Sequence, residues 1–337
     1  MTPAPNDLTA TQRMLDLIVG GWKAQVVYAA AKMALPDHIA AGRTSAETLA
    51  EAAGAEVEGI RRMMRLLVAL EVFAADEHGY RNTPLSLTLR AAPDSLRDMC
   101  LLYGEEFYTA WGHAYQSLRT VTAGFELAHG EALYPYLGTH PDFAERFQAA
   151  MRSGNIFFDA VPDVFDFAGR TIADLGGGPG HLLTAVLGRV PDARGILLDR
   201  EHIVPIAKAA LAATVGLDRV ELVAGDMFEA VPRGADVYVL CRVLAGHDDD
   251  AVAGLFAACR AAMEPAGGRL MILERVVTDR GGTVLPALWD LHLLMTNGGR
   301  HRSLETFTAL LDRAGLQLER IADLPMETTA LIARPRG

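Results

Sequence analysis

The chain has 337 residues, of which 50% are hydrophobic and 22% charged, which is typical of one large or two ordinary soluble domains with ample core. Its formal net charge of −11 argues against nucleic acid as a ligand, and no basic run interleaved with aromatic residues offsets that charge. Cys100, Cys241 and Cys259 form neither a disulfide framework nor a Cys-x-x-Cys metal pair, so we expect a reducing cytoplasm. We expect no membrane partner, because no apolar run is long enough to span a bilayer and the N-terminus lacks a basic-then-apolar signal.

The first predicted elements are helices rich in alanine that reach to about Gly42. Leu15, Ile18, Trp22 and Val26 recur there at helical spacing. This segment has more apolar positions than a terminal helix needs for its own packing. We therefore expect it to form a surface for a partner chain.

The next stretch has the pattern helix, helix, hairpin. A capping box at Thr44 to Glu47 opens one helix and Gly54 ends it, a second helix follows over Val57 to Leu70, and His78-Gly79 marks the turn of a small hairpin. This order is typical of a winged helix, which elsewhere binds DNA. Residues 1–100 carry 10 Lys and Arg against 12 Asp and Glu, a net charge of −2, which disfavours a phosphate-facing module.

A helical segment with many aromatic residues follows, from about Asp98 to Phe167. Aromatic side chains at helical spacing usually lie in a core, so we expect most of them to be buried.

The sequence then reads TIADLGGGPG over Thr171 to Gly180, a buried strand that enters a glycine-rich turn and a helix. Glycine allows the turn's dihedrals and the close approach of a ligand, and the helix presents unpaired N–H groups to that ligand. Three further apolar runs follow. GILLD ends in Asp199, VELVAGDMFE continues into Asp226 and Met227, and DVYVLCRVLAGHDDD ends in a polar cluster. Because parallel strands end at one edge of a sheet, these residues predict a nucleotide-like site there.

This succession resembles the class I S-adenosylmethionine-dependent methyltransferases, and the whole chain resembles the small-molecule O-methyltransferase family. A dehydrogenase fits less well, because GGGPGH does not match G-x-G-x-x-G and the Asp-Met pair has no role there. The resemblance implies an α/β fold: a Rossmann-like methyltransferase sheet with an N-terminal, mainly helical, winged-helix dimerisation domain, and hence a homodimer. It implies a dimerisation domain over 1–98, a helical substrate-pocket segment over 99–168 and a catalytic domain over 169–337.

The same resemblance implies S-adenosylmethionine as the cofactor. Asp174, Gly176 and Gly178 would line the turn, Asp199 would meet the ribose, and Asp226 with Met227 would meet the adenine. We also place Arg242, which follows the fourth strand, among the cofactor-binding residues. The segment 99–168 would contribute to a roof over the acceptor.

The loop after the fourth strand departs from the family. The family's run V-L-H-D-W-D-D contains a histidine that takes the proton of a phenol, and Ala245 stands at that position here. A family glutamate that braces the histidine matches Glu274, but the one in G-G-K-E-R-T is His301 in GGRHRS. Alanine cannot accept a proton, so ordinary O-methylation by that base is not expected.

The sequence offers another reactive group near this loop in place of the missing base: His247, Asp248 and His292. Two imidazoles and a carboxylate make a facial triad for iron or a similar divalent metal, and His301 is a rival third ligand. The alternative interpretation is a histidine packed within a helix and another that caps a loop. With Gly246-His247-Asp248 beside the predicted cofactor, we favour the metal site.

A small branch of the family methylates carbon in α-keto acids, and the GHD run followed by a helical histidine resembles that branch. A metal that chelates the acid would ease loss of the carbon-bound proton. The sequence therefore predicts C-methylation of a small apolar α-keto acid of the phenylpyruvate or 4-methyl-2-oxopentanoate type. The base stays open between Asp249, Glu274, His301 and a metal-bound hydroxide, and the alternatives are an O-methyltransferase with a replaced base and a non-methylating relative that binds the cofactor.

Overall fold

The computed structural model describes residues 8–92, 95–154, 156–263, 267–278 and 280–337. The chain divides into two compact units, Met1–Gly112 with Tyr134–Gly154, and His113–Leu133 with Asn155–Gly337. Each unit is described by itself below. The predicted boundaries near 98 and 168 stay a prediction.

The described residues form helices throughout, whereas their strands lie before Thr83 and after Arg170. In chain order the helices are α1 (Leu8–Ile18), α2 (Gly20–Lys32), α3 (Leu35–Ala40), α4 (Ala46–Ala53), α5 (Val57–Ala69), α6 (Pro84–Leu87), α7 (Arg97–Gly104), α8 (Glu106–Gly112), α9 (Ala114–Thr120), α10 (Gly124–His129), α11 (Leu133–Thr139), α12 (Pro141–Ser153), α13 (Val161–Val164), α14 (His181–Arg189), α15 (Val204–Thr214), α16 (Asp249–Met263), α17 (Val284–Asn297) and α18 (Leu304–Arg313). A 3₁₀ helix spans Ile156–Ala160.

The strands are β1 (Phe73–Asp76), β2 (Gly79–Asn82), β3 (Thr171–Leu175), β4 (Arg194–Asp199), β5 (Val220–Ala224), β6 (Val237–Cys241), β7 (Arg269–Glu274), β8 (Val276–Val277), β9 (Arg302–Ser303), β10 (Leu316–Leu324) and β11 (Thr328–Pro335). None of the described helices has the length and apolar character to cross a membrane.

The first unit contains the predicted helix, helix, hairpin. A capping box opens α4, but one residue later than the predicted Thr44 to Glu47: Ser45 is the cap, and its reciprocal partner is Thr48. The antiparallel pair of β1 and β2 turns at Glu77 and His78, and Gly79, which the sequence places in the turn, is the first residue of β2. A core of Leu49, Ile60, Met64, Phe73 and their neighbours holds these elements together, which is the mainly helical N-terminal domain that the sequence predicts.

The helices α1 and α2 expose large apolar side chains in this single chain. Leu15, Leu17, Ile18 and Trp22 are all more than half exposed. Apolar side chains gathered on one surface mark an interaction site in soluble proteins. This surface agrees with the predicted role of the segment in contacting a partner chain.

Gly104, at the end of α7, packs against Tyr28 of α2. A Cβ atom added at Gly104 would lie 2.3 Å from two carbons of the Tyr28 ring. We expect Gly104→Ala to lower the free energy of unfolding by about 1–3 kcal/mol, because the Tyr28 ring would have to shift within a packed interface. Equilibrium unfolding in urea measures this change.

Gly112→Ala is the matched control for Gly104→Ala. No described atom lies within 4 Å of a Cβ added at Gly112, so this change should leave stability unchanged or slightly raised. Equal losses in the two variants would contradict the packing of Tyr28 on Gly104.

The second unit contains a sheet of seven described strands in the order β10-β11-β7-β6-β3-β4-β5. The strands β3 to β7 run parallel, whereas β11 pairs antiparallel with both β7 and β10. The predicted strands at TIADL, GILLD, VELVA and VYVLC and the antiparallel final hairpin are confirmed. This order and these directions are those of the predicted Rossmann-like methyltransferase sheet.

Alternation along the strands divides the core into two layers. In β6, Val237 and Val239 pack in the layer that contains α14, whereas Tyr238 and Leu240 pack in the layer that contains α16 and α18. Successive side chains point to opposite faces of a strand, and both faces of a parallel sheet are buried, so nearly every position of these strands is apolar. The carboxyl ends of β3, β4, β6 and β7 therefore meet at one edge, held rigidly by helices on both faces.

Candidate active site

The glycine turn between β3 and α14 brings bare backbone to this edge. Gly176, Gly178 and Gly180 have φ values of +74°, +56° and +84°, in the left-handed region that favours glycine. A Cβ atom at Gly176 would lie 2.9 Å from Cγ1 of Val243 and 3.7 Å from Sδ of Met227. The turn is thus packed against the ends of the strands that follow it in the chain.

Asp199, at the end of β4, fixes the turn. Its Oδ2 accepts a hydrogen bond of 2.7 Å from the Gly178 amide, and its Oδ1 accepts one of 2.7 Å from the Arg200 amide. The sequence places this carboxylate opposite the turn, and the structure brings the two together. Both oxygens lie at the carboxyl edge of the sheet, beside the glycine turn.

Asp226 and Met227 follow β5 on the same edge. Asp226 accepts a hydrogen bond of 2.9 Å from the Phe228 amide and one of 3.2 Å from the Arg200 guanidinium. Met227 packs against the apolar layer beneath. The predicted adenine-binding pair therefore adjoins the predicted ribose-binding carboxylate.

Asp174 is the buried acid of the site. Its side chain is 1% exposed, and its Oδ2 has no hydrogen-bond partner among the described residues. Burial first, and then the charge of Asp199, raises the pKa of Asp174 to about 7. An unpaired carboxyl oxygen in a buried position fits a ligand that donates a hydrogen bond.

Arg242, after β6, is the last of the predicted cofactor residues. Its φ of +56° is left-handed, and its guanidinium carbon lies 4.4 Å from the centre of the Phe157 ring. A cavity beside the turn is lined by Asp174, the glycines 176–178 and Cys241, among others. A glycine cradle with carboxylates at three strand ends fits S-adenosylmethionine, and the roles of the single residues are proposals.

The predicted metal site of His247, Asp248 and His292 finds no support. The described residues contain no group of three His, Cys, Asp or Glu side chains placed to hold a metal ion. Each predicted ligand makes a different contact. The His247 ring packs 4.3 Å from that of Phe228, Asp248 caps α16 by accepting a hydrogen bond from the Ala251 amide, and the His292 ring lies 5.3 Å from that of Trp289.

Arg302 is a residue of this region that the sequence did not single out. Its side chain is 2% exposed, and it donates hydrogen bonds to the carbonyls of Leu244 and His247 at 2.9 and 2.5 Å and to Asp249 at 2.8 Å. It thereby holds the loop that contains Ala245. An arginine in GGRHRS gives no sequence signal of this role, because arginine in a polar segment is usually exposed.

Glu274 and His301 lie beside this loop. Glu274 accepts a hydrogen bond of 3.3 Å from the Leu244 amide, and its Oε2 lies 3.9 Å from Nδ1 of His301. Burial raises the pKa of Glu274 to about 7. Burial, followed by the charges of Arg275 and Arg242, lowers the pKa of His301 to about 4.

Comparison with known proteins places this architecture in a family. Residues 111–317 match the O-methyltransferase domain, and residues 8–91 match the O-methyltransferase dimerisation domain. The phenazine-1-carboxylate N-methyltransferase of Pseudomonas aeruginosa is 44% identical over 329 residues, which cover 97% of this chain and 98% of that protein. The 3-amino-4-hydroxybenzoate 4-O-methyltransferase of Streptomyces cremeus is 41% identical over 333 residues, which cover 97% of this chain and 91% of that protein.

A solved structure of a biosynthetic protein is similar to this chain in both fold and sequence. The structure of the pyocyanin biosynthetic protein PhzM matches this chain with a TM-score of 0.91 and 43% identity, and the match covers 98% of this chain and 100% of that one. The predicted fold class, the predicted cofactor S-adenosylmethionine and the dimerisation domain are confirmed by these findings.

The predicted C-methylation of an α-keto acid is wrong. Both relatives are named for methyl transfer to nitrogen or oxygen, on phenazine-1-carboxylate and on 3-amino-4-hydroxybenzoate. The α-keto acid substrate and the divalent metal depended on that prediction and have no support. The chain belongs to the S-adenosylmethionine-dependent small-molecule O-methyltransferase family and is a methyltransferase.

Proposed function

We propose that this methyltransferase acts on a small aromatic carboxylic acid and methylates a phenolic oxygen of it. The observation that carries the proposal is that two relatives more than 40% identical over nearly the whole chain are named for aromatic carboxylates. The family model favours oxygen as the methylated atom. The predicted alternative of an O-methyltransferase whose usual base is replaced is thus the interpretation that we retain.

The cofactor would be held by Asp174, Gly176, Gly178, Asp199, Asp226, Met227 and Arg242. S-adenosylmethionine supplies a methyl group bound to a positively charged sulfur. The glycine turn leaves room at the backbone, and the unpaired oxygen of Asp174 can accept a hydrogen bond from a cationic donor. Asp199, fixed by two backbone amides, is oriented for a hydroxyl ligand before any ligand arrives.

Positive charge near the acceptor end of the site favours an anionic acceptor. Arg275 and Arg242 both lie close enough to His301 to lower its pKa. The carbon of the Arg275 guanidinium also lies 4.6 Å from the centre of the Trp289 ring, and this contact holds the positive charge in place. The same cations would lower the pKa of a phenol beside them and would stabilise a phenolate as the proton leaves.

A second candidate is methylation of an aromatic ring nitrogen. It is favoured by Ala245 and by the 44% identical N-methyltransferase. Such a nitrogen presents a lone pair and carries no proton, so that transfer needs no base. An oxygen acceptor therefore needs a proton acceptor among the residues around Ala245, whereas a nitrogen acceptor needs none.

Turnover of matched acceptors tests the proposal. The purified protein would be incubated with S-adenosylmethionine and one of three acceptors: 3-amino-4-hydroxybenzoate, 3-aminobenzoate, which lacks only the hydroxyl, or phenazine-1-carboxylate. S-adenosylhomocysteine would be measured. We expect product with the hydroxylated acid alone. Equal turnover of the two aminobenzoates, or turnover of phenazine-1-carboxylate alone, would contradict oxygen methylation and would favour the nitrogen.

A further inference from the structure

A buried imidazole and a buried carboxyl group adjoin the position where the family's base is missing. Glu274 ends β7 and is 2% exposed, and the side chain of His301 is 8% exposed. The nearest approach is 3.9 Å, between Oε2 of Glu274 and Nδ1 of His301. The pair is therefore oriented with one imidazole nitrogen toward the carboxyl group and the other, Nε2, on the far side of the ring.

The backbone around His301 lies directly against Ala245. The Arg300 amide donates a hydrogen bond of 2.9 Å to the Ala245 carbonyl, and a Cβ atom at Gly299 would lie 2.8 Å from that same oxygen. The His301 amide in turn donates a hydrogen bond of 2.6 Å to Asp290 of α17. His301 is thus fixed on both sides, next to a residue whose own side chain is a single methyl group.

The pair also adjoins the strand end that lines the cofactor cavity. Cys241, the last residue of β6, lines that cavity and pairs in register with Leu273 of β7. The Arg242 amide donates a hydrogen bond of 3.1 Å to the Leu273 carbonyl, one residue before Glu274. Glu274 and His301 therefore lie at the same edge of the sheet as the cavity.

We propose that His301, braced by Glu274, takes the proton of the acceptor hydroxyl in the place of the family's histidine at position 245. The proposal rests on the proposed oxygen methylation. The O–H bond of the acceptor breaks, the proton bonds to Nε2 of His301, and the electron pair stays on the oxygen. That oxygen forms a bond to the methyl carbon while the carbon–sulfur bond breaks, and its electron pair remains on the sulfur of S-adenosylhomocysteine. Because the pKa of Glu274 is about 7, its carboxylate is ionised at about pH 8 and offsets the positive charge of the imidazolium, against burial and the two arginines that lower the pKa of His301. Glu274 therefore acts as the positioning residue.

Two acceptors of nearly the same shape that differ in the acidity of the hydroxyl separate proton transfer from binding. One is 4-hydroxybenzoate, whose phenol is mostly protonated at about pH 8, and the other is its 3,5-difluoro derivative, whose two electron-withdrawing fluorines leave the hydroxyl mostly ionised at that pH. For His301→Ala we expect kcat to fall about 100-fold or more with the first acceptor and less than about 5-fold with the second, since general bases contribute 10²- to 10⁴-fold. Added imidazole should restore part of the lost turnover.

Further variants and a binding measurement complete the test. Glu274→Gln should show the same preference for the ionised acceptor with a smaller loss, and His301→Gln provides a second variant that keeps a polar side chain. His78→Gln removes an exposed imidazole in the β1–β2 turn and should leave both rates unchanged. Calorimetry should give wild-type affinity for S-adenosylmethionine in every variant, which shows that the site remains folded.

The outcomes separate the two proposals. Equal losses with both acceptors in His301→Ala, or no loss with either, would overturn His301 as the proton acceptor while oxygen methylation stands. Wild-type protein that methylates neither phenol would overturn the proposed function itself, and His301 would then have no proton to take.

Discussion

Asp174→Asn is expected to weaken the binding of S-adenosylmethionine by about 10- to 100-fold, because a charge-assisted hydrogen bond to a buried carboxylate contributes roughly 1.5–3 kcal/mol. The Asp174 oxygen that would accept this bond has no partner among the described residues. An amide of nearly the same shape keeps the packing but removes the negative charge. Isothermal titration calorimetry at about pH 8 measures the change in affinity.

The same substitution should stabilise the protein in the absence of cofactor. The folded pKa of Asp174 is about 7, above the ordinary aspartate pKa of about 3.9. The protonated Asp174 therefore contributes its full stability to the fold below about pH 4. This stability is lost as the pH rises through 7, because ionisation of the buried group lowers the free energy of unfolding by on the order of 4 kcal/mol at pH 8. Asparagine does not titrate, so the Tm of the variant should exceed that of the wild type by more at pH 8 than at pH 5.

Asp192→Asn is the control for this pair of measurements. Asp192 is exposed just before β4, at the opposite edge of the sheet from the glycine turn. We expect its replacement to change neither the cofactor affinity nor the pH dependence of Tm. Unchanged affinity in Asp174→Asn, or a lower Tm at pH 8, would contradict the role given to Asp174.

Arg302→Met should lower the free energy of unfolding by about 3 kcal/mol. The substitution leaves the carbonyls of Leu244 and His247 without the guanidinium that satisfies them, and each buried unsatisfied group costs roughly 1–3 kcal/mol. The loss of the half-buried ion pair with Asp249 adds less. Turnover should fall as well, because this loop contains Ala245 and lies beside Glu274.

Arg313→Met provides the matched control for Arg302→Met. Arg313 pairs with the neighbouring acid Asp250, but both side chains are more than half exposed. An exposed pair contributes about 0–1 kcal/mol, so urea unfolding should distinguish the two variants clearly. Equal stabilities of the two variants would show that the Arg302 hydrogen bonds do not hold the loop.

The residues at the carboxyl edge of the sheet could be predicted from the sequence, because the patterns that mark them lie within short stretches of the chain. The glycines of GGGPG require unusual dihedrals, and Asp199 and Asp226 each follow an apolar run directly. The topology of parallel strands then brings these residues together without any knowledge of side-chain directions. The alternation of strands and helices predicts a parallel α/β sheet, whereas the antiparallel closing hairpin is expected from the family resemblance.

The chemistry at Ala245 could not be predicted in the same way. In the chain, His247 is separated by α16, β7 and β8 from the helix α17 that contains His292. The directions of the two side chains depend on packing against Phe228 and Trp289. The position of Asp248 in the sequence is equally consistent with a metal ligand and with a helix cap. In the structure it caps α16. His301 lies beside Ala245 only because the backbone at 299–301 binds the 245 carbonyl, a contact across more than fifty residues.

The position of the transferred methyl group tests the central claim most directly. The protein would be incubated with S-adenosylmethionine carrying a ¹³C-labelled methyl group and 3-amino-4-hydroxybenzoate, and the product would be examined by NMR. Methylation of the phenolic oxygen predicts a labelled methoxy signal that couples through oxygen to the ring carbon. A label on the amino nitrogen or on carbon, or no labelled product from protein that binds the cofactor, would contradict it.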